Sequence, residues 1–320
     1  MPRVCLLLLV LVAACGGDEP VPTPTPTPTP TVASALPGAT ATSACAAAGD
    51  FWPTMTLALA DDTAWVACKE ESRIDSLAGE ELALDGQAIA VLSALDAVWA
   101  LDDRGSLYRV GSGKVADLAL SRPYNLWTGA GAVWAIDDGS GEVVRVDPET
   151  YEVTKTAVGD GPADMVFDDD TAWVINHRDR KLIRLEGGRV RELATIGEEN
   201  VAPERMALLD GSLWITGRGA DLFKVDPDSG EIEDTIEVGG SGIDIVAAGG
   251  ALWVPSRGPE VDQSGLPTME ALQRVDPDGT VTTVSEPPSR IDVHGLAADE
   301  SDVWLADNTA GIVYRIPLSG

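Results

Sequence analysis

Beyond its N-terminal segment the chain is written in short alternations of apolar and polar residues, broken by Gly, Asp, Asn and Ser. A period of two between turn residues is the pattern of strands with one face buried. Seven tryptophans recur in one context within this pattern: Trp65, Trp99, Trp134, Trp173, Trp214, Trp253 and Trp304. Each has a turn residue three places before it (Asp62, Asp96, Gly131, Asp170, Gly211, Gly250 and Ser301) and apolar or small neighbours, as in Ala132-Val133-Trp134-Ala135-Ile136. A short apolar strand precedes each turn, such as Met165-Val166-Phe167, and an alternating strand follows each tryptophan, such as Val144-Arg145-Val146 or Phe223-Lys224-Val225. Several of the latter run into Asp-Pro turns at Asp147-Pro148, Asp226-Pro227 and Asp276-Pro277, and then into a fourth strand such as residues 232–238.

Four strands, each hairpin-linked to the next, make one blade of a β-propeller. The tryptophans stand 34 (Trp65 to Trp99) to 51 (Trp253 to Trp304) residues apart, a blade's length. The expectation is an all-β, seven-bladed propeller of four-stranded antiparallel blades. The seventh repeat stops soon after its third strand, and residues 41–48 are placed to supply the fourth. That would close the ring and remove a strand edge able to recruit other chains. Cys45 lies on this N-terminal strand and Cys68 follows Trp65 by three, so a disulfide between them would pin the closure to blade one. The basic residue on six third strands (Arg109, Arg145, Arg184, Lys224, Arg274 and Arg315) reads as architectural, held in surface or inter-blade ion pairs rather than by a ligand.

The N-terminal segment is built differently. Arg3, the apolar run 4–12 and Ala13-Ala14 follow the order of a secretory signal peptide, too short to span a membrane as a permanent helix. Val12-Ala13-Ala14-Cys15 resembles the bacterial lipobox, which implies lipidation of Cys15 and a mature chain starting there. Residues 20–30 alternate proline with threonine or valine, a composition that favours extended polyproline II and reaches roughly 34 Å at ~3.1 Å per residue. The expected organisation is therefore a signal peptide (1–14), a lipid-anchored Pro/Thr tether (15–40) and the propeller (41–320). The protein would lie outside the cytoplasm, a monomer held to the membrane only by its lipid.

Net charge of −30 changes the picture in one respect, because phosphate binding needs a dense basic face and nucleic acid is thereby excluded as a partner. Of the four cysteines, Cys5 leaves with the signal peptide and Cys15 carries lipid, which leaves one pair for an oxidising compartment.

The repeat also locates a candidate site. Nine residues before the tryptophans come Thr56, Ala90, Asn125, Asp164, Arg205 and Asp244, with Asp292 in blade seven after an apparent three-residue insertion. Four after them come Lys69, Asp103, Asp138, His177, Arg218, Arg257 and Asn308. The two sets are expected to ring one mouth of the central channel. Arg205, Arg218, Arg257, His177 and Arg178 form a basic arc that would draw the anionic group of a ligand, and Asp102, Asp103, Asp137, Asp138, Asp292 and Asp307 an acidic one. Residues 258–270 make an expanded loop on the same face, a rim or lid.

A Trp strand followed by Arg-Val-Asp-Pro, as at Arg145-Val146-Asp147-Pro148, resembles the YVTN, NHL and streptogramin-lyase propellers over residues 50–320. Streptogramin lyases use histidine and carboxylates with a divalent metal at this face. The resemblance implies His294, Asp292 and His177 as a general-base set beside magnesium or calcium. No Gly-x-Ser-x-Gly elbow, His-Glu-x-x-His or Cys-x-x-Cys motif occurs. The expected function is a non-catalytic binding or scaffold module that engages a small molecule or protein at the channel mouth. The alternative is a metal-assisted lyase or lactone hydrolase.

Overall fold

The computed structural model describes residues 31–32, 36, 38–45, 55–61, 63–68, 71–198, 201–217, 219, 221–242, 244–257, 269–286, 291, 293–308 and 310–318. Seven antiparallel sheets follow one another along the chain. Blade two shows the plan: Ala88–Ala94, Ala97–Asp102, Ser106–Arg109 and Gly113–Asp117, each paired with the next from the channel outward. In blade six the innermost strand is broken into Ser241–Gly242 and Val246–Ala248, both paired with Ala251–Arg257. Among the described residues no helix is long and apolar enough to cross a membrane.

The turn residues before the tryptophans do what their chemistry allows. Asp210-Gly211 and Gly249-Gly250 both hold two consecutive positive φ angles, the conformation of the tight hairpin turns that match strand twist. The Asp-Pro turns are closed by side chains: Asp226 accepts hydrogen bonds from the N–H groups of Asp228 and Ser229 and from the Ser229 hydroxyl.

All seven repeat tryptophans are buried, and the core lies between blades rather than within them. Trp99 packs with Leu126, Val133 and Val144 of blade three, and Trp214 with Leu252 and Val254 of blade six. A sheet stacked face to face with two neighbours buries both faces, so the ring supplies its own core. Each third-strand cation lies directly across the ladder from the tryptophan, from Trp99↔Arg109 to Trp304↔Arg315. Arg109, Arg184, Lys224 and Arg315 stand over the indole rings at 5.0–5.8 Å. The expected ion pairs are present at Arg184–Asp228, between blades four and five, and at Arg274–Asp276 and Arg315–Asp302. The cation–π contact is an addition that spacing alone did not reveal.

Ring closure follows the expected plan with shifted bounds. The closing strand is Thr40–Ser43, paired antiparallel with Ile312–Pro317, and a further strand Thr31–Val32 pairs outside it. Leu36 is buried in the blade-seven core. The folded body therefore starts before residue 41, inside what the sequence assigned to the tether. Cys45 and Cys68 form the expected disulfide, with Cα atoms 5.8 Å apart. It closes a loop with a sequence separation of 23, for which chain entropy gives about 3 kcal/mol. A Cys45→Ser/Cys68→Ser variant is expected to lose that much in denaturant melts, and reduction of the native chain to reproduce the loss.

Candidate functional site at the channel mouth

The start of each innermost strand pairs with the end of the second, as in Ala88↔Asp102, Pro162↔Asn176 and Pro203↔Gly217, so the described members of both sets of candidate residues share one face, Lys69 lying outside the described residues. In blades two, three, four, five and seven the register slips by one residue at this point, a recurrent β-bulge. A bulge re-aims the neighbouring side chain, and here it recurs where the strand meets the channel.

Asp164 in blade four, Arg205 in blade five and Asp244 in blade six are brought together. Arg205 Nε lies 3.8 Å from Asp244 Oδ1, and Arg205 Nη1 donates to the Glu204 carbonyl at 2.9 Å. Its Nη2 donates to the Tyr124 hydroxyl at 2.9 Å, and its guanidinium stands 5.5 Å from the centre of the Tyr124 ring. Tyr124 belongs to blade three, so this one side chain joins the inner strands of blades three, five and six. Asp164 makes the complementary tie. It is buried, and accepts from Trp127 Nε1 of blade three at 2.8 Å, its neighbour Met165 N at 2.8 Å and Met206 N of blade five at 2.6 Å.

The two charges need each other. Burial pushes the Asp164 carboxyl up, against the Arg205 charge and the N–H donors of Met206, Met165 and Trp127. Burial likewise opposes the Arg205 charge, but Tyr124, Asp244 and Asp164 outweigh it and hold the guanidinium protonated. The result is a fixed cation with a half-exposed aromatic ring beside it at the opening.

The other expected residues divide. Asn125 sits between Tyr124 and Leu126 on the blade-three inner strand and accepts from Leu126 N, as Asp244 does from Ile245 N. Arg178 lies further out, paired with Asp138 and Asp160 at 2.7 Å and touching the His177 ring at 3.3 Å, while Arg122 holds the other oxygen of Asp138. Arg257 ends the second strand of blade six, its backbone paired with Ser241 and Met269. Arg218, Asp292, Cys15 and residues 258–268 of the expanded loop lie outside the described residues, as does the His294 side chain.

One expectation needs correction. Blade seven carries no three-residue shift: Gly295 pairs with Ala306 as Asp164 pairs with Ile175, so Gly295 and not Asp292 holds the ring position. A Cβ there would meet the Met55 carbonyl of blade one at 2.7 Å, which explains the glycine. His294 falls on the bulge itself. The described acids of the expected arc are engaged within the chain. Asp102 accepts from the N–H groups of Gly86, Arg104 and Ser106 and from the Tyr108 hydroxyl. Asp137 holds Ser121, Arg122 and Gly139, Asp103 holds Gln87 N, and Asp307 holds Ala310 N. These acids fasten the mouth-face loops.

Among the described residues no three His, Cys, Asp or Glu side chains come together as metal ligands.

Asp137 gives a pH prediction. Burial opposes its ionisation, but the N–H groups of Ser121 and Arg122 and the hydroxyls of Ser121 and Ser140 prevail and lower it to about 2 from an ordinary 3.8. A carboxylate depressed in the folded state contributes stability above its unfolded pKa and loses it as pH falls through the folded value. Stability measured between about pH 4 and about pH 2 should therefore fall less steeply for Asp137→Asn than for the native chain.

Tyr124 and Trp127 were missed by counting from the tryptophans. The available signal was the run Tyr124-Asn125-Leu126-Trp127, two aromatics on a strand whose counterparts are mostly small or aliphatic.

No protein-family model and no curated protein matches the chain. Solved structures do. Virginiamycin B lyase from Staphylococcus aureus superposes with a TM-score of 0.70 at 16% identity, covering 87% of this chain and 98% of that one. The chain has the fold of the streptogramin B lyases. That fold is shared with YCF48 bound to D1 peptide (TM-score 0.65, 12% identity, 93% of this chain and 100% of that one). It is shared also with BamB from Moraxella catarrhalis (TM-score 0.57, 13% identity, 83% of each). At such identities the streptogramin-lyase likeness establishes architecture, and chemistry has to be argued from this chain's residues.

Proposed function

We propose that the protein is an extracytoplasmic propeller, lipid-anchored through Cys15, that binds a ligand or protein partner at the channel mouth without catalysis. The observation that carries this is the Arg205–Tyr124–Asp164–Asp244 cluster. It fixes a cation and an aromatic ring at the opening, held by contacts that run between blades three, four, five and six. Pre-organised groups of this kind recognise a partner at low entropic cost. The Cys45–Cys68 bond and the lipobox-like tetrad support the location.

Photo-crosslinking side chains at Asp103 and Asp160, on the mouth face, test the reading in cells against Ser112 and Gly188 on the opposite face. Discrete adducts from the mouth positions alone, lost in Arg205→Ala, are expected. Equal adducts from both faces, or none, would overturn it.

A second reading rests on the position of His294 at the blade-seven bulge together with the streptogramin-lyase fold. Here His294, with Asp292 and His177, would serve as base. Quinupristin, held by an inactive form of the S. aureus enzyme, is the probe. Mass spectrometry is expected to show it unchanged after incubation with the purified chain. Ring opening that disappears in His294→Ala would replace the binding reading.

A further inference from the structure

In blades two, four and five the turn between the third and fourth strands of the following blade covers the tryptophan, the cation or both. In blade four the Trp173 indole donates to the Pro227 carbonyl at 2.8 Å and Arg184 pairs with Asp228 at 2.6 Å, both from the blade-five turn. In blade five Lys224 reaches the Pro277 carbonyl of blade six at 3.4 Å. In blade two Trp99 meets Tyr151 of the blade-three turn edge to face, at 6.5 Å. The cap is thus a prolyl turn in two places, and one of these adds a carboxylate for the arginine.

Among the described residues blade six receives no such cap from blade seven. The fourth strand of blade seven is Thr40–Ser43, which reaches the sheet from the N-terminal side and has no third-to-fourth turn. At that place lies an open cavity of about 450 Å³ lined by Trp253, Arg274, Thr282 and Val284 of blade six and by Pro317 and Leu318 of blade seven. Leu36 and Leu318 pack into the core cluster that contains Trp253, supplying apolar cover but no acid. Arg274 has a 39% exposed side chain and pairs with Asp276 of its own blade. Arg184 shows what the complete arrangement holds: an acid of its own blade, Glu186 at 3.2 Å, and Asp228 of the next.

We infer that this seam groove docks an acidic prolyl turn of a partner protein, Pro-Asp in sequence, in the place that the blade-five turn takes over Trp173 and Arg184. The partner's proline lies against Trp253, Val284 and Pro317, and its carboxylate takes the outer side of Arg274. The internal turns fix the chemistry, because the same tryptophan-and-cation pair is satisfied by Pro227-Asp228 inside the molecule. A basic turn would face Arg274 and be rejected. The groove lies on the face opposite the channel mouth and is independent of the function proposed there.

The test uses a cyclic peptide of the blade-five turn, residues 225–231, titrated into the full chain while the Trp253 indole N–H resonance is followed. Loss of one indole signal in Trp253→Phe assigns it. A saturable shift confined to Trp253 is expected in the millimolar range, weakened about tenfold or more by Arg274→Glu. Val284→Glu, at an exposed position, is expected to weaken it as well with the fold intact. A peptide carrying Asp228→Lys should not bind. No shift at Trp253, equal binding of the lysine peptide, or shifts at Trp173 from displacement of the native turn would each overturn the inference.

Discussion

Replacing Trp214 by alanine is expected to cost about 3–5 kcal/mol of unfolding free energy, a loss on the order of 10 °C in melting temperature. The indole is completely buried between blades five and six, against Leu222, Leu252, Val254 and Val275. Its N–H donates to the Leu209 carbonyl and Lys224 stands over its ring at 5.4 Å. Neighbouring sheets are themselves rigid, so they cannot collapse into the space left behind and the cavity cost is paid nearly in full. Calorimetry or denaturant titration checks this, with Val284→Ala, at a 39% exposed position, as the near-neutral comparison. A loss below about 1 kcal/mol for Trp214→Ala would mean that the inter-blade indoles are not the core.

Asp164→Ala is the second large effect, expected at about 3–5 kcal/mol because it breaks a buried charge cluster and leaves buried donors without their acceptor. Three N–H donors, from Trp127, Met165 and Met206, lose their acceptor together, and Arg205 loses one of its two carboxylates. Three blades are tied through this one group, so the damage is not local to blade four. Arg205→Met removes the opposite charge, and the double variant should cost less than the sum of the two, which a thermodynamic cycle measures. Strict additivity would show that Asp164 and Arg205 do not act as a pair.

The repeat made the architecture legible. One indole per blade, a turn residue three places before it and an alternating strand after it are local signals, and a ring of seven is their sum. The site was legible where the same counting held: Asp164, Arg205 and Asp244 were found by position alone. It failed where a departure from the repeat was assumed: blade seven has no insertion and carries the same one-residue bulge as blades two to five. Tyr124 escaped because it sits one residue off the counted position and reaches Arg205 across the channel, a contact between residues 81 apart in sequence. For the acids of the mouth type and place were legible but partners were not: Asp102 and Asp137 each accept three loop N–H bonds and a hydroxyl, which residue type does not reveal.

Closure by residues 31–43 has a mechanical consequence. Any tension transmitted through the N-terminal segment meets first the pairing of Thr31–Val32 with Thr40–Ser43 and then the few backbone hydrogen bonds of that strand to Ile312–Pro317, and would peel them away in turn. The covalent bridge from Cys45 to Cys68 stands immediately behind the strand, so peeling stops there and the load passes into blade one.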